Sequence, residues 1–290
     1  MRRMKGAAGL LTALLLAFQL SAQTFALANE DNGIKVVPVN FTHNGYSYEI
    51  EGVAKSTEGD YQIKSPSRLA ARKLPSAYDP RSSGEITTVK DQASTGACWA
   101  FSALACAEQD LIKKGLENPS AEFSVPALVL SSNSGTATGK DDFSSGGNWL
   151  FAASALANGQ GLCYEDYEPF LESGTENMAV SENKKSVSEY RLNYVMELSS
   201  TTQVKRKIME LGAVSASYFA GNGYMNHNNT AYYDPDASKN TIINHSVTVV
   251  GWDDNYSKDN FRYKPANNGA WLVKGSWGAD QDNDGFYWVS

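Results

Sequence analysis

The sequence predicts an α+β protein in two halves, a mainly helical one followed by one built on a β-sheet. Three observations carry this. From Ala97 to Ala107 every residue except Ser102 is apolar, as in a helix buried on all sides. The remaining helical patterns all end before Gly212. After Ala213 the chain changes to β-branched and aromatic runs divided by Asn/Asp/Gly-rich loops. Helices first and strands later give one half-domain of each kind.

Arg2, Arg3 and Lys5 precede the apolar "AAGLLTALLLAF", and Ala26-Leu27-Ala28 supplies a cleavage site, so residues 1–28 read as a secretory signal peptide. The apolar stretch is shorter than the ~20 residues of a spanning helix. Residues 29–73 are polar with scattered tyrosines and end in Arg72-Lys73. Two readings stand for them: a loose linker, or a prosegment that keeps an enzyme latent until it is cut near the dibasic pair. "LPSAYDPRSSGE" then marks the turn-rich entrance to a domain over residues 74–290.

The first helix is expected to start at Cys98, capped by Ser94 or Thr95, and to stop at Lys113, Lys114 and Gly115. A second runs from Asn148 to about Ala157 and a third from Thr202 to Leu211. "AVSASYF", "HSVTVVGW", "AWLVKGSW" and "GFYWVS" are the strands. Ser290 falls inside the last of these, which leaves room for further sequence beyond it.

Charge narrows the partners. The net charge is −7, and removal of the leader with its three positive residues takes it to −10. Residues 29–73 carry six acids and six bases, so the whole excess lies in residues 74–290. Such an acidic body repels phosphate backbones and excludes nucleic acid as a partner class. After leader removal no membrane partner is expected, and nothing in the sequence asks for a cofactor.

Three cysteines are too few for a disulfide scaffold, and an odd number in an exported chain leaves one thiol without an internal partner. Cys98 opens the first helix, where the positive end of the backbone dipole favours thiolate. Cys106 lies mid-helix in apolar company. A thiolate nucleophile needs an imidazole to exchange its proton with. Of the three histidines, His43 lies in the 29–73 segment and His227 in a polar loop, so His245, at the head of "HSVTVVGW", is the candidate by elimination.

"VKDQASTGACWAFSA", "SSGGNWLFAASALANGQGLCYEDYEPF", "INHSVTVVGWDD" and "WLVKGSWG", in that order, resemble successive landmarks of the papain-like cysteine peptidases. The resemblance covers residues 74–290 and looks most like secreted bacterial members. It implies a papain-like α+β fold with the active-site cleft between the two halves. It makes Cys98 the nucleophile, His245 the general base and acid, and Gln92 a side-chain donor to the oxyanion hole. Gly146 and Gly147 match paired glycines that bind extended substrate, against the plain reading of a turn before a helix. Trp277 matches a tryptophan that shields the histidine. Trp149 and Ser217 are candidates for the specificity wall.

Three departures stand out. Thr95 and Ser144 occupy both ends of a disulfide usual in the family, and a Cys106–Cys163 bridge is left open as an alternative. "DQDNDG" (Asp280, Asp282, Asp284, Gly285) spells the opening of a calcium loop, but it falls in the family's Gly-rich turn, and no metal is assigned. Gly275 stands where the family has the asparagine that orients the histidine ring.

The sequence therefore predicts a secreted or cell-surface, monomeric cysteine endopeptidase acting on protein or peptide substrates through a Cys98 thioester. The alternative is a papain-fold binding or scaffold protein at the cell surface, weakened by Gly275. The missing asparagine should cost about tenfold to a hundredfold in rate, with Gly275→Asn expected to recover activity.

Overall fold

The computed structural model describes residues 15–22, 35–43, 46–55, 73–132, 143, 146–157, 162–167, 169–170, 190–221, 223–237, 242–280 and 282–290. The strands are β1 (Leu15–Ala22), β2 (Lys35–His43), β3 (Tyr46–Lys55), β4 (Ala77–Tyr78), β5 (Tyr190–Leu198), β6 (Val214–Tyr218), β7 (Ala231–Tyr232), β8 (His245–Asp253), β9 (Ala270–Lys274) and β10 (Phe286–Val289). The helices are α1 (Cys98–Lys113), α2 (Val125–Ser132), α3 (Trp149–Ala157) and α4 (Thr201–Leu211). The large sheet runs β5-β1-β6-β8-β9-β10-β7, with β4 paired to β8, while β2 and β3 form a separate hairpin.

The helix α1 is buried from Cys98 to Leu111, through the apolar run to Ala107 and on through Glu108, Gln109 and Asp110. Trp99, Phe101 and Leu104 pack with Phe123, Val129, Leu156 and Leu162 of the helical half, and with Val250, Leu272 and Phe286 of the sheet. On a second core α4 lays Val204, Ile208 and Leu211 against Val214, Val249, Trp252 and Val273. The helix α1 thus belongs to both halves, and the α+β architecture follows from that shared element.

Ser102, the one polar residue of the run, explains itself here. Its hydroxyl donates to the Val247 carbonyl at 2.7 Å and meets the Ser215 hydroxyl at 2.7 Å. A buried hydroxyl needs such partners, and these pin the first turns of α1 across β6 and β8.

Several expectations change. The residue before α1 is Ala97, with no side-chain cap; Thr95 turns its hydroxyl back to the Gln92 carbonyl instead. The strand β5 and the helix α2 were not anticipated. Within residues 29–73 the hairpin β2–β3 runs with His43 opposite Tyr46. Its signal is in the sequence: alternation through Tyr46, Tyr48 and Ile50, after an Asn-Gly dipeptide. Leu15–Ala22, inside the leader, pairs as β1 with β5 and β6. Among the described residues all three cysteines are unbridged thiols, so Cys106 and Cys163 are not joined. Ser144 and Arg72 lie outside the described residues. No helix among the described residues is long and apolar enough to cross a membrane.

Candidate active site

Two connections bring the site together. The head of α1 lies over the head of β8 through the Ser102–Val247 bond. The segment before α1 pairs with the segment after β9: Asp91 bridges Trp277, Gln92 N donates to the Ser276 carbonyl at 2.8 Å, and Gly278 N donates to the Lys90 carbonyl at 3.1 Å. Cys98 is therefore held from one side by the strand that starts at His245, and from the other by the loop that carries Gln92.

Cys98 is buried, the first residue of α1. Backbone N–H groups of Cys98, Trp99 and Ser246, with the Ser246 hydroxyl, act on its sulfur and favour thiolate. Burial outweighs them and pushes the thiol above its ordinary value. His245 is also buried, and burial alone lowers its imidazole to about 4. Burial thus disfavours the charged form of each group, thiolate and imidazolium alike. The helix terminus favours thiolate, as the sequence suggests, while desolvation acts against it and is the larger effect.

The His245 ring lies between aromatic walls. Trp277 stacks on it at 4.5 Å and 11°, and Tyr218 meets it edge-on at 5.9 Å and 76°. Trp277, 38% exposed, covers the ring on its outer face. The Nε2 atom of His245 is buried and has no hydrogen-bond partner among the described residues.

Gln92 is aimed by its neighbours. Its Oε1 accepts from the Ser276 hydroxyl at 2.6 Å, and its Nε2 donates to the Thr95 carbonyl at 2.7 Å. The first bond fixes which end of the amide is which. The second uses one of two Nε2 hydrogens and leaves the other for a carbonyl oxygen near Cys98. Ser276 had no role in the sequence reading, although it sits inside the "KGSWG" landmark; Thr95 closes this loop on itself, its hydroxyl donating to the Gln92 carbonyl.

Gly147 lies directly on the Trp99 ring: a Cβ there would come within 2.3 Å of the indole Nε1. Gly146 has φ +74° with open space around it, so the glycine pair presents bare backbone beside the first turn of α1. Trp149 is half-buried and packs on the helical core. Ser217 bonds Ser246 at 2.9 Å, next to the thiol. Within the "DQDNDG" motif the described Asp282–Gly285 form a short turn, in which Asn283 accepts from Arg81 and donates to the Phe286 carbonyl. Among the described residues no group of three His, Cys, Asp or Glu side chains could hold a metal.

Behind the site lies a buried charged pair. Glu108, ten residues along α1 from Cys98, faces Lys274 at 4.0 Å and Lys90 at 3.5 Å. It also accepts from the Thr87 hydroxyl and from Phe123 N. Lys274 precedes Gly275, so this cluster ties α1 to the backbone that carries Ser276 and Trp277. Burial lowers the Lys274 ammonium to about 8, against the attraction of Glu108.

The thiol heads α1, the imidazole heads the strand that α1 is bonded to through Ser102, and the Gln92 amide is anchored to Ser276; this is the layout of a thiol-dependent acyl-transfer site. Residues 74–290 match the model for the papain family of cysteine proteases, and the chain belongs to that family. It is similar to cathepsin S of Bos taurus (29% identical, 74% of this chain and 60% of the relative), cathepsin L2 of Homo sapiens (26%, 73% and 60%) and cathepsin K of Mus musculus (24%, 74% and 59%). The cysteine protease and lectin-like domains of Cwp84, a surface layer associated protein of Clostridium difficile, superpose with a TM-score of 0.62 at 32% identity, over 76% of this chain and 48% of that one. The chain thus spans about 60% of the cathepsins it matches and about half of the Cwp84 chain.

Proposed function

We propose that the chain is an exported cysteine endopeptidase, made with a removable leader and a latency segment. The reading is supported by Cys98 at the head of α1, His245 at the head of β8, to which Ser102 bonds α1, and the Gln92 amide anchored by Ser276. The thiol proton passes to His245 as sulfur attacks the scissile carbonyl. The oxygen gains negative charge and accepts hydrogen bonds donated by the second Nε2–H of Gln92 and by the Cys98 backbone N–H. His245 then protonates the departing amine, and water hydrolyses the thioester to release the acid and restore the thiol.

Peptide and protein chains are the proposed substrates, met as extended strands by the bare backbone of Gly146 and Gly147, and the enzyme acts as a monomer. Export rests on the leader motif. The surface layer association of Cwp84 supports a secreted or cell-surface location. Latency rests on the dibasic Arg72-Lys73 and on the β2–β3 hairpin, which stands outside the large sheet with β3 beside α3. Secreted protein is expected to begin at Asn29 and mature to a form beginning near Leu74. N-terminal sequencing of a fully active form that retains residues 29–73 would reject latency.

The unpartnered Nε2 of His245 supports the rival, a papain-fold binding module with weak or no catalysis. Cleavage of a peptide library by the matured protein, with Cys98→Ala as control, decides between them. Cys98-dependent cleavage at internal bonds is expected; no cleavage of any peptide would favour the binding module.

A further inference from the structure

In place of an asparagine at position 275 the chain has glycine, and the space beside it is filled. A Cβ built on Gly275 would stand 3.2 Å from Cε1 of Tyr287 and 3.1 Å from the Gly285 carbonyl oxygen. Tyr287 reaches this point from β10, which pairs with β9 so that Tyr287 lies opposite Val273. Its ring is parallel to Trp277, 6.0 Å away at 7°. Its hydroxyl meets the Tyr218 hydroxyl at 2.9 Å. Tyr218 is the cross-strand partner of His245 and touches that ring edge-on, and the circuit closes where Trp277 stacks on His245. Four rings thus form one closed set of contacts, with no hydrogen bond to His245 Nε2 in it.

We propose that Tyr287, fixed by Tyr218, is the positioning residue for His245, holding the imidazole by aromatic packing in the space that Gly275 leaves open. Gly275 and Tyr287 are then one unit: the ring needs a neighbour without a side chain, and the glycine needs the ring to replace what it lacks. The unpartnered Nε2 follows, since an aromatic frame fixes orientation without supplying an acceptor. The Cys98 sulfur belongs to the same neighbourhood, close enough to act electrostatically on both phenols. This inference rests on the reading of Cys98 and His245 as the reacting pair. It also changes what Gly275→Asn should do, because the asparagine has no room while Tyr287 is present.

The test is a cycle of variants read in two ways: steady-state hydrolysis of a fluorogenic peptide, and alkylation of Cys98 by iodoacetamide, which needs the imidazole but no peptide. Tyr287→Ala is expected to lower kcat and the alkylation rate about tenfold or more, with KM nearly unchanged, since misplacing a catalytic group by about 1 Å can cost a hundredfold. Tyr287→Phe, which keeps the ring, should lose only about threefold, equivalent to one weak hydrogen bond. Gly275→Asn alone should also lose activity, whereas Gly275→Asn with Tyr287→Ala should recover most of what either single change lost. Additive losses in the double variant, or a gain from Gly275→Asn alone, would overturn the proposal. Tyr287→Phe keeps the test valid should Tyr287→Ala fail to fold: a loss as large as that of His245→Ala would refute positioning by the ring. If wild type cleaves no peptide while alkylation follows the expected order, the peptidase reading fails and the positioning role stands.

Discussion

At the scale of single residues, the site is a contest between burial and local charge, and burial wins. Backbone N–H groups at the head of α1 favour the Cys98 thiolate, yet the thiol is raised and His245 is lowered to about 4. Alkylation of Cys98 should therefore keep rising with pH through 7 and level only at or above the ordinary thiol range near 8.5. A plateau already reached below pH 6 would mean a preformed ion pair. Ser276 yields a second prediction. Ser276→Ala frees the Gln92 amide to rotate and should lower kcat about tenfold, less than the 10²–10³ reported for outright loss of an oxyanion donor, with little change in KM. A kcat equal to wild type would show that Thr95 alone aims the amide. Cys98 and His245 could be singled out from their local strings, whereas Gln92 came only through the family resemblance. Tyr218 and Tyr287 were not legible, because their meeting depends on strand registers that bring residues far apart in sequence onto one ring.

At the scale of elements, α1 does the most. Its apolar run announced a buried helix, and its exceptions prove to be the joints: Ser102 to the sheet, Glu108 to Lys274 and Lys90. Removing one partner of a buried ion pair strands the other charge. Glu108→Ala should thus destabilise the fold by about 3–5 kcal/mol, read as a shift in the urea midpoint, whereas Thr87→Val should cost about 1 kcal/mol. Equal, small effects would mean that water already screens the cluster. The strands β6, β8, β9 and β10 were readable from β-branched and aromatic runs. The helix α2 escaped because its eight residues, mostly apolar, carry no period that separates helix from strand. The hairpin β2–β3 escaped although its alternation and turn dipeptide were in plain view.

At the scale of the whole molecule, the two halves are held as one by α1, and the pH dependence of stability reports on the site between them. His245 binds its proton more weakly when folded than the ordinary value of 6.5 would allow. Between pH 6.5 and about 4 the unfolded chain therefore holds more protons, and stability falls as pH drops through that window. The loss is on the order of 3 kcal/mol, and Cys98 adds nothing there because its thiol is protonated in both states. His245→Gln should flatten this part of the profile; parallel curves for the two proteins would place the histidine in water. The central claim, that Cys98 and His245 form one reacting pair, is tested most directly by covalent capture. Matured native protein is treated with a peptidyl epoxide directed at thiols and mapped by mass spectrometry. The account predicts one label per chain, on Cys98, slowed at least tenfold in His245→Ala and accompanied by loss of all peptide cleavage. Labelling of Cys163 or Cys106 ahead of Cys98, or a Cys98 rate unchanged by His245→Ala, would contradict it.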